Sequence, residues 1–303
     1  MYDTTFSILI TTKNRKADLI FTLNKISCLL EDASVNCVVF DDGSVDGTYE
    51  YVIKNYPYIQ VERNAVSKGY IYCRNKMLNE TKSTYAISLD DDAHFISGNP
   101  LQFIHNHFEQ NANCGLIALR IFWGLQEPSS TFSKAKSERV QGFVGCAHVW
   151  RMEAWKSIPN YPEWFVFYGE ENFASYQLFK KNWEVYYLPE VLVNHRVDVK
   201  SRKNNTDYST RLRRSLRSGW YLYIMFYPWM LVPRKIAYSL WMQIKVKVMK
   251  GDFKAMLAIM LAMGDLLINL PRLFYNAYRL NTAEFKAYTK LAETKLYWTP
   301  EET

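Results

Sequence analysis

Short apolar runs alternate with helical patterns along the first hundred residues. Phe6 to Thr12 is rich in β-branched side chains and is closed by Lys13-Asn14-Arg15; Leu19, Leu23, Ile26 and Leu30 then recur at helical spacing. Cys37 to Phe40 stops at Asp41-Asp42-Gly43-Ser44, and Asp46 is placed to cap a helix carrying Tyr49, Val52 and Ile53. Ile59 to Val61 leads through Ser67-Lys68-Gly69 into a helix ending near Glu80, and Tyr85 to Leu89 is a fourth strand running into Asp90-Asp91-Asp92. This alternation predicts a mainly parallel α/β sheet flanked by helices, with right-handed crossovers and a site beyond the carboxyl ends of the strands.

Further along, Leu116 to Leu119 is another strand, Gln126 to Gln141 a polar surface loop placed to act as a lid, and Glu170-Glu171 opens a helix containing Phe173, Tyr176 and Phe179. The last hundred residues differ in kind. From residue 201 onward there are 17 basic against 7 acidic residues, whereas the preceding part has 20 against 23, so the net charge of +7 comes from the tail. Trp220, Tyr221, Tyr223, Phe226, Tyr227 and Trp229 crowd there, behind Arg211, Arg213, Arg214 and Arg217. Phe253, Met256, Leu257, Met260, Leu261, Leu267 and Ile268 then recur on one helical face that Asp265 interrupts. The longest uncharged stretch of the tail, Ser218 to Pro233, is 16 residues, short of the roughly 20 that span a bilayer. The expectation is a basic, aromatic-rich helical appendage (206–303) after a catalytic domain (1–205). It either lies on an anionic membrane surface without crossing it, or packs on the catalytic domain or on a second copy of the chain.

Composition narrows the function classes. With 49% hydrophobic residues the chain buries a sizeable core. Its five cysteines, odd in number and without a CxxC pair, suit reduced thiols better than bridges or a zinc site. Asp3 and a short first apolar run are unlike a signal peptide, so a cytoplasmic location is expected. The acidic first two hundred residues carry no nucleic-acid recognition motif.

The chemistry-bearing residues sit at strand ends and one helix start. Alternation on a strand turns Asp90 and Asp92 one way and Asp91 the other. Converging carboxylates need a cation, and oxygen ligands suit Mg²⁺ or Mn²⁺; a solvated acidic turn is the plain alternative. Asp41 and Asp42 end the second strand, where a carboxylate can accept from a base or ribose. The segment from Asp42 is not a calcium loop, because its twelfth position is Ile53 and not Glu. Glu170 and Glu171 either match the helix dipole or supply a general base beneath Trp164, Phe165 and Phe167. His195 is either structural or a further ligand to the same metal.

In this order the segments ILITTKNR, FDDGSVDGT, SKGYIYCRNK and SLDDDAHF make residues 5–200 resemble the family 2 glycosyltransferases, inverting enzymes of the Rossmann-like A-type nucleotide-sugar fold. The resemblance implies nucleotide-sugar contacts from Thr12, Asn14, Arg15, Asp41, Asp42, Gly69, Arg74, Asn75, Asp90 and Asp91. It implies Mn²⁺ or Mg²⁺ on Asp90, Asp92 and His195, and a base at Glu171 with Glu170 as its rival. The family's Glu-Asp-x-Asp-Leu-x-x-Arg here reads Glu170-Glu171-Asn172-Phe173-Ala174-Ser175-Tyr176-Gln177, so Phe173 and Gln177 stand where a charged pair is usual. The implied activity is metal-dependent transfer from a UDP-, dTDP- or GDP-sugar to a hydroxyl of a glycan or lipid-linked acceptor, in cell-surface polysaccharide synthesis. A nucleotidyltransferase and a non-catalytic nucleotide-sugar-binding or membrane-scaffold protein are the rival readings.

Overall fold

Among the described residues one sheet holds nine strands: β1 (Phe6–Thr12), β2 (Val35–Asp41), β3 (Gln60–Arg63), β4 (Tyr85–Asp90), β5 (Ala93–Phe95), β6 (Cys114–Trp123), β7 (Glu138–Arg139), β8 (Ala147–Arg151) and β9 (Glu184–His195). This computed structural model describes residues 5–198 and 207–300, so the expected domain boundary near residue 205 lies outside the described residues. The helices are α1 (Lys16–Lys25), α2 (Ser27–Leu30), α3 (Thr48–Asn55), α4 (Tyr70–Glu80), α5 (Pro100–Gln110), α6 (Met152–Lys156), α7 (Glu170–Lys180), α8 (Tyr208–Phe226), α9 (Val232–Val246), α10 (Phe253–Tyr275) and α11 (Thr282–Thr289). The single helix expected from Leu19 to Leu30 breaks at Ile26 into α1 and α2. Asp46 accepts from the Thr48 backbone while Gly47 takes the cap position of α3.

Strand order is β3-β2-β1-β4-β8-β6-β9-β5, with β7 paired to β9. β3, β2, β1 and β4 are parallel, as expected for strands joined by helices. Beyond β4 the sheet is mixed: β8 runs antiparallel to β4 and β6, and β5 and β7 run antiparallel to β9. No helix separates β6 from β8, so β8 is not forced into a parallel crossover.

Alternation along each strand feeds two core layers. From β1, Phe6, Ile8 and Ile10 face a layer closed by Leu19, Leu23, Val52, Ile104 and Phe108 of α1, α3 and α5. Leu9 faces the opposite layer, closed by Ile71, Met77 and Leu78 of α4 and by Phe173 and Leu178 of α7. That second layer also takes in Tyr221, Met225 and Phe226 of α8. Phe226 stacks on Tyr176 at 4.9 Å and meets Phe173 edge-on at 5.5 Å. Burial of each such ring contributes roughly 1.5–3 kcal/mol. The aromatic cluster of the tail therefore divides: its α8 part is core, shared with the sheet domain. Phe173 and Gln177, which replace a charged pair of the family pattern, are both buried beneath it.

α10 packs on α8 through a face rich in small residues, with Ala255, Ala258, Ile259 and Ala262 buried. Asp265 turns toward α8 and pairs with Arg213 at 2.5 Å and Arg217 at 3.5 Å. It therefore leaves the outer apolar face continuous. By length and composition α10 is the one described helix apolar enough to cross a membrane, with a mean hydropathy of 1.7.

Candidate active site

Register places the acidic residues side by side. Thr12 of β1 pairs with Asp41 of β2, and Thr11 pairs with Asp90 of β4, so the three parallel strands end together. β9 runs back past β5 and puts His195 opposite Ala93. His195 Nε2 lies 3.1 Å from Asp92 and 4.0 Å from Asp90. One ligand atom from each of Asp90, Asp92 and His195 falls within 4.8 Å of the others. Two carboxylates and an imidazole at that separation fit one divalent ion with open positions for donor oxygens.

Electrostatics differ sharply among the three aspartates. Burial opposes charge on Asp92, but His195 and Arg15 outweigh it and hold the carboxyl down to about 2. Arg15 reaches Asp92 at 2.7 Å and Asp91 at 3.2 Å. Asp91, which with Asp92 makes the turn between β4 and β5, lies outside the triad and accepts from Thr12 Oγ1 at 2.8 Å. Burial dominates there and pushes Asp91 up to about 7. Burial also opposes charge on His195, yet Cys146 and Asp92 raise its imidazole well above the usual range. A bound cation has to displace that proton.

Across the cleft, Arg74 links Asp90 to the Gly145 backbone. Its guanidinium donates to Asp90 at 2.5 Å and to the Gly145 carbonyl at 2.9 Å. Glu170 is fully buried and accepts from the Tyr70 hydroxyl. Glu171 is partly exposed and lies against Gly145, where an added Cβ would sit 2.5 Å from its Oε1 and 3.3 Å from Arg74 Nη1. Burial and the adjacent Glu170 push Glu171 up to about 8. A carboxyl near neutrality, open on one side, has the form of a general base; Glu170, held by Tyr70, has that of a support.

Other expected contact residues serve the walls. Asp42 is buried and accepts from Asn64 at 2.7 Å, Ser67 Oγ at 2.6 Å, Lys68 N at 2.8 Å and Gly69 N at 2.9 Å. Burial opposes its charge, but these four donors hold the carboxyl below its ordinary value. Gly69 makes this turn with φ +96°, a backbone that side chains resist. Asn75 bonds the Tyr161 backbone through both ends of its amide, and Asn14 accepts from the Val45 N–H. Asp41 accepts from Ser44 N at 2.8 Å and faces Arg63 at 3.6 Å. The structure thus brings Arg15, Arg74, Asp90, Asp92, Glu171 and His195 around one cleft, while Asp42 and Asn75 spend their polar atoms on the loops that shape it.

Residues not anticipated from the sequence complete it. Trp123 meets His195 edge-on at 6.0 Å, and Tyr297 stacks on Trp123 at 5.3 Å. Trp298 N donates to the Ile121 carbonyl, laying the chain's last described segment along β6. Tyr70 and Gly145 carry no sequence signal of their place in the cleft either. The stretch 124–137 has no regular secondary structure, and its Glu127 bonds Lys25 and His94.

Residues 7–126 match the family model described as Glycosyl transferase family 2. This part of the chain is similar to the family 2 glycosyltransferases. The fold is also that of known glycosyltransferases at low identity. GalNAc-T7, solved with UDP, GalNAc and Mn²⁺, is 15% identical over 73% of this chain and 50% of its own, with a TM-score of 0.54. The mannosyltransferase PcManGT from Pyrobaculum calidifontis, solved with GDP-Man and Mn²⁺, is 14% identical over 96% of this chain and 80% of its own, with a TM-score of 0.54. TarS of S. aureus is 17% identical over 69% of this chain, with a TM-score of 0.52, and the match spans only 38% of TarS. No curated protein is significantly similar in sequence.

Proposed function

We propose that the chain is a metal-dependent, inverting glycosyltransferase that moves a sugar from a nucleotide diphosphate to a hydroxyl of a glycan or lipid-linked acceptor in cell-surface polysaccharide synthesis. The observation that carries this reading is the placement of Glu171 against Gly145, whose carbonyl Arg74 ties to Asp90 of the Asp90, Asp92 and His195 triad, in a chain whose residues 7–126 match the family 2 model. The UDP and GDP-Man of the two Mn²⁺-bound structures support a nucleotide-diphosphate donor.

A divalent ion held by Asp90, Asp92 and His195, Mn²⁺ or Mg²⁺, supplies charge neutralisation to a diphosphate. Arg15 adds a cation at the same wall. Glu171 takes the proton of the acceptor hydroxyl as that oxygen bonds the anomeric carbon; the bond to the diphosphate breaks, and its electron pair leaves on the phosphate oxygen. Single displacement inverts the anomeric centre. Tyr70 holds Glu170 beside Glu171, and Arg74 ties Asp90 to the Gly145 backbone against which Glu171 lies. The five free thiols, four of them buried, support a reducing compartment such as the cytoplasm.

A panel of UDP-, dTDP- and GDP-sugars with Mn²⁺, followed by proton NMR, tests the reading with water as the acceptor. Metal-dependent release of the free sugar in the inverted anomeric form, before mutarotation, is the expected result. Release of the retained anomer refutes single displacement, and release of sugar 1-phosphate in place of the free sugar points to nucleotidyl transfer.

A further inference from the structure

We infer that the outer face of α10, with its neighbour α9, docks in the plane of an anionic phospholipid surface, independently of the transfer chemistry. Met256, Leu257, Met260, Leu261, Leu267 and Ile268 are all exposed, Leu267 at 65% and Ile268 at 79% of their full surface. Spaced at i, i+3, i+4 and i+7, they form one stripe opposite the buried Ala255, Ala258, Ile259 and Ala262. No charge breaks that stripe between Lys254 and Arg272, because Asp265 is turned inward onto Arg213 and Arg217. An exposed apolar surface of this continuity marks an interaction site.

Charge and aromatic placement select the occupant. Arg234, Tyr238, Trp241 and Lys245 fall on one exposed side of α9 at i, i+4, i+7 and i+11. Tyr238 is 63% exposed and Trp241 53%, whereas Trp220, Tyr221 and Phe226 of α8 are buried. Exposed Lys250, Lys254 and Arg272 flank the stripe on α10. Cations that reach the headgroups, aromatics at the interface and aliphatic side chains below are the pattern of an in-plane helix. A second copy fits less well, since a two-fold interface would set these cations against one another. A spanning helix fits less well too: α10 is held along its length by α8, with the Asp265 ion pairs at their contact.

Flotation of the full chain with vesicles of phosphatidylcholine alone or mixed with phosphatidylglycerol tests this, beside light scattering without lipid. The wild type should float with the mixed vesicles at low salt, and weaken both with added salt and on phosphatidylcholine alone. Leu257→Gln with Ile268→Gln should lower partition by at least ~10-fold at either salt. Lys250→Glu with Lys254→Glu should lower it at low salt alone. Metal-dependent donor turnover in solution, or thermal unfolding where no donor is turned over, should match the wild type in both variants. Absence of flotation, equal flotation on neutral vesicles, or retention on vesicles after alkaline carbonate extraction each overturns the inference. So does a dimer in solution that the Leu257 and Ile268 substitutions dissociate.

Discussion

Glu171→Gln separates catalysis from folding in opposite directions. The substitution keeps the shape beside Gly145 but removes the proton acceptor, so transfer should fall by about 10²–10⁴-fold with donor affinity kept. Stability should move the other way. The wild-type carboxyl rises from 4.5 to about 8 through burial and the charge of Glu170. Below the unfolded value, near 4.3, both states hold the proton and the group has no pH effect. Between that value and about 8 the native state keeps a proton that the unfolded chain releases, so stability falls as pH rises. A tenfold difference in proton affinity between the folded and unfolded states is worth about 1.4 kcal/mol, and the coupling with Glu170 reduces what one substitution recovers, leaving an advantage for Gln on the order of 1–3 kcal/mol at pH 7. Urea unfolding at pH 4, 7 and 9 measures it: the advantage is near zero at pH 4, grows to pH 8 and then levels. Wild-type transfer should rise with pH over the same range. A pH-independent difference, or an active Glu171→Gln beside a dead Glu170→Gln, refutes the assignment.

Gly145→Ala should lower transfer by at least ~10-fold with stability changed by less than about 1 kcal/mol, because the added Cβ meets the flexible end of Glu171, 2.5 Å away; kinetics and urea unfolding check it. Asp92→Asn should weaken Mn²⁺-supported binding of a nucleoside diphosphate by at least ~10-fold, while Asp91→Asn, turned toward Thr12, keeps most of it; calorimetry compares the two. Asp42→Ala leaves Asn64, Ser67, Lys68 and Gly69 without their acceptor and should cost about 2–4 kcal/mol, read by chemical denaturation.

Short apolar runs with polar ends made β1, β2 and β4 legible, because a buried parallel strand needs a largely unbroken apolar run and its polar end marks the cleft. β7 was not legible: two polar residues owe their pairing to β9 alone. Nor was Tyr297, whose place beside Trp123 depends on a chain reversal with no local signal. That four donors from residues 64–69 arrive at Asp42 is not visible in composition. The tail's aromatics looked uniform in sequence, yet Trp220, Tyr221 and Phe226 of α8 are buried while α9 and α10 expose theirs, a division that tertiary packing alone decides.

Calorimetric titration of UDP, GDP and dTDP into the full chain, with and without Mn²⁺, tests most directly whether Asp90, Asp92 and His195 form a metal-assisted donor site. At least one nucleotide should bind, Mn²⁺ should tighten it by at least ~10-fold, and Asp92→Asn should abolish the gain. Binding indifferent to Mn²⁺, or a gain that survives Asp92→Asn, would contradict such a site.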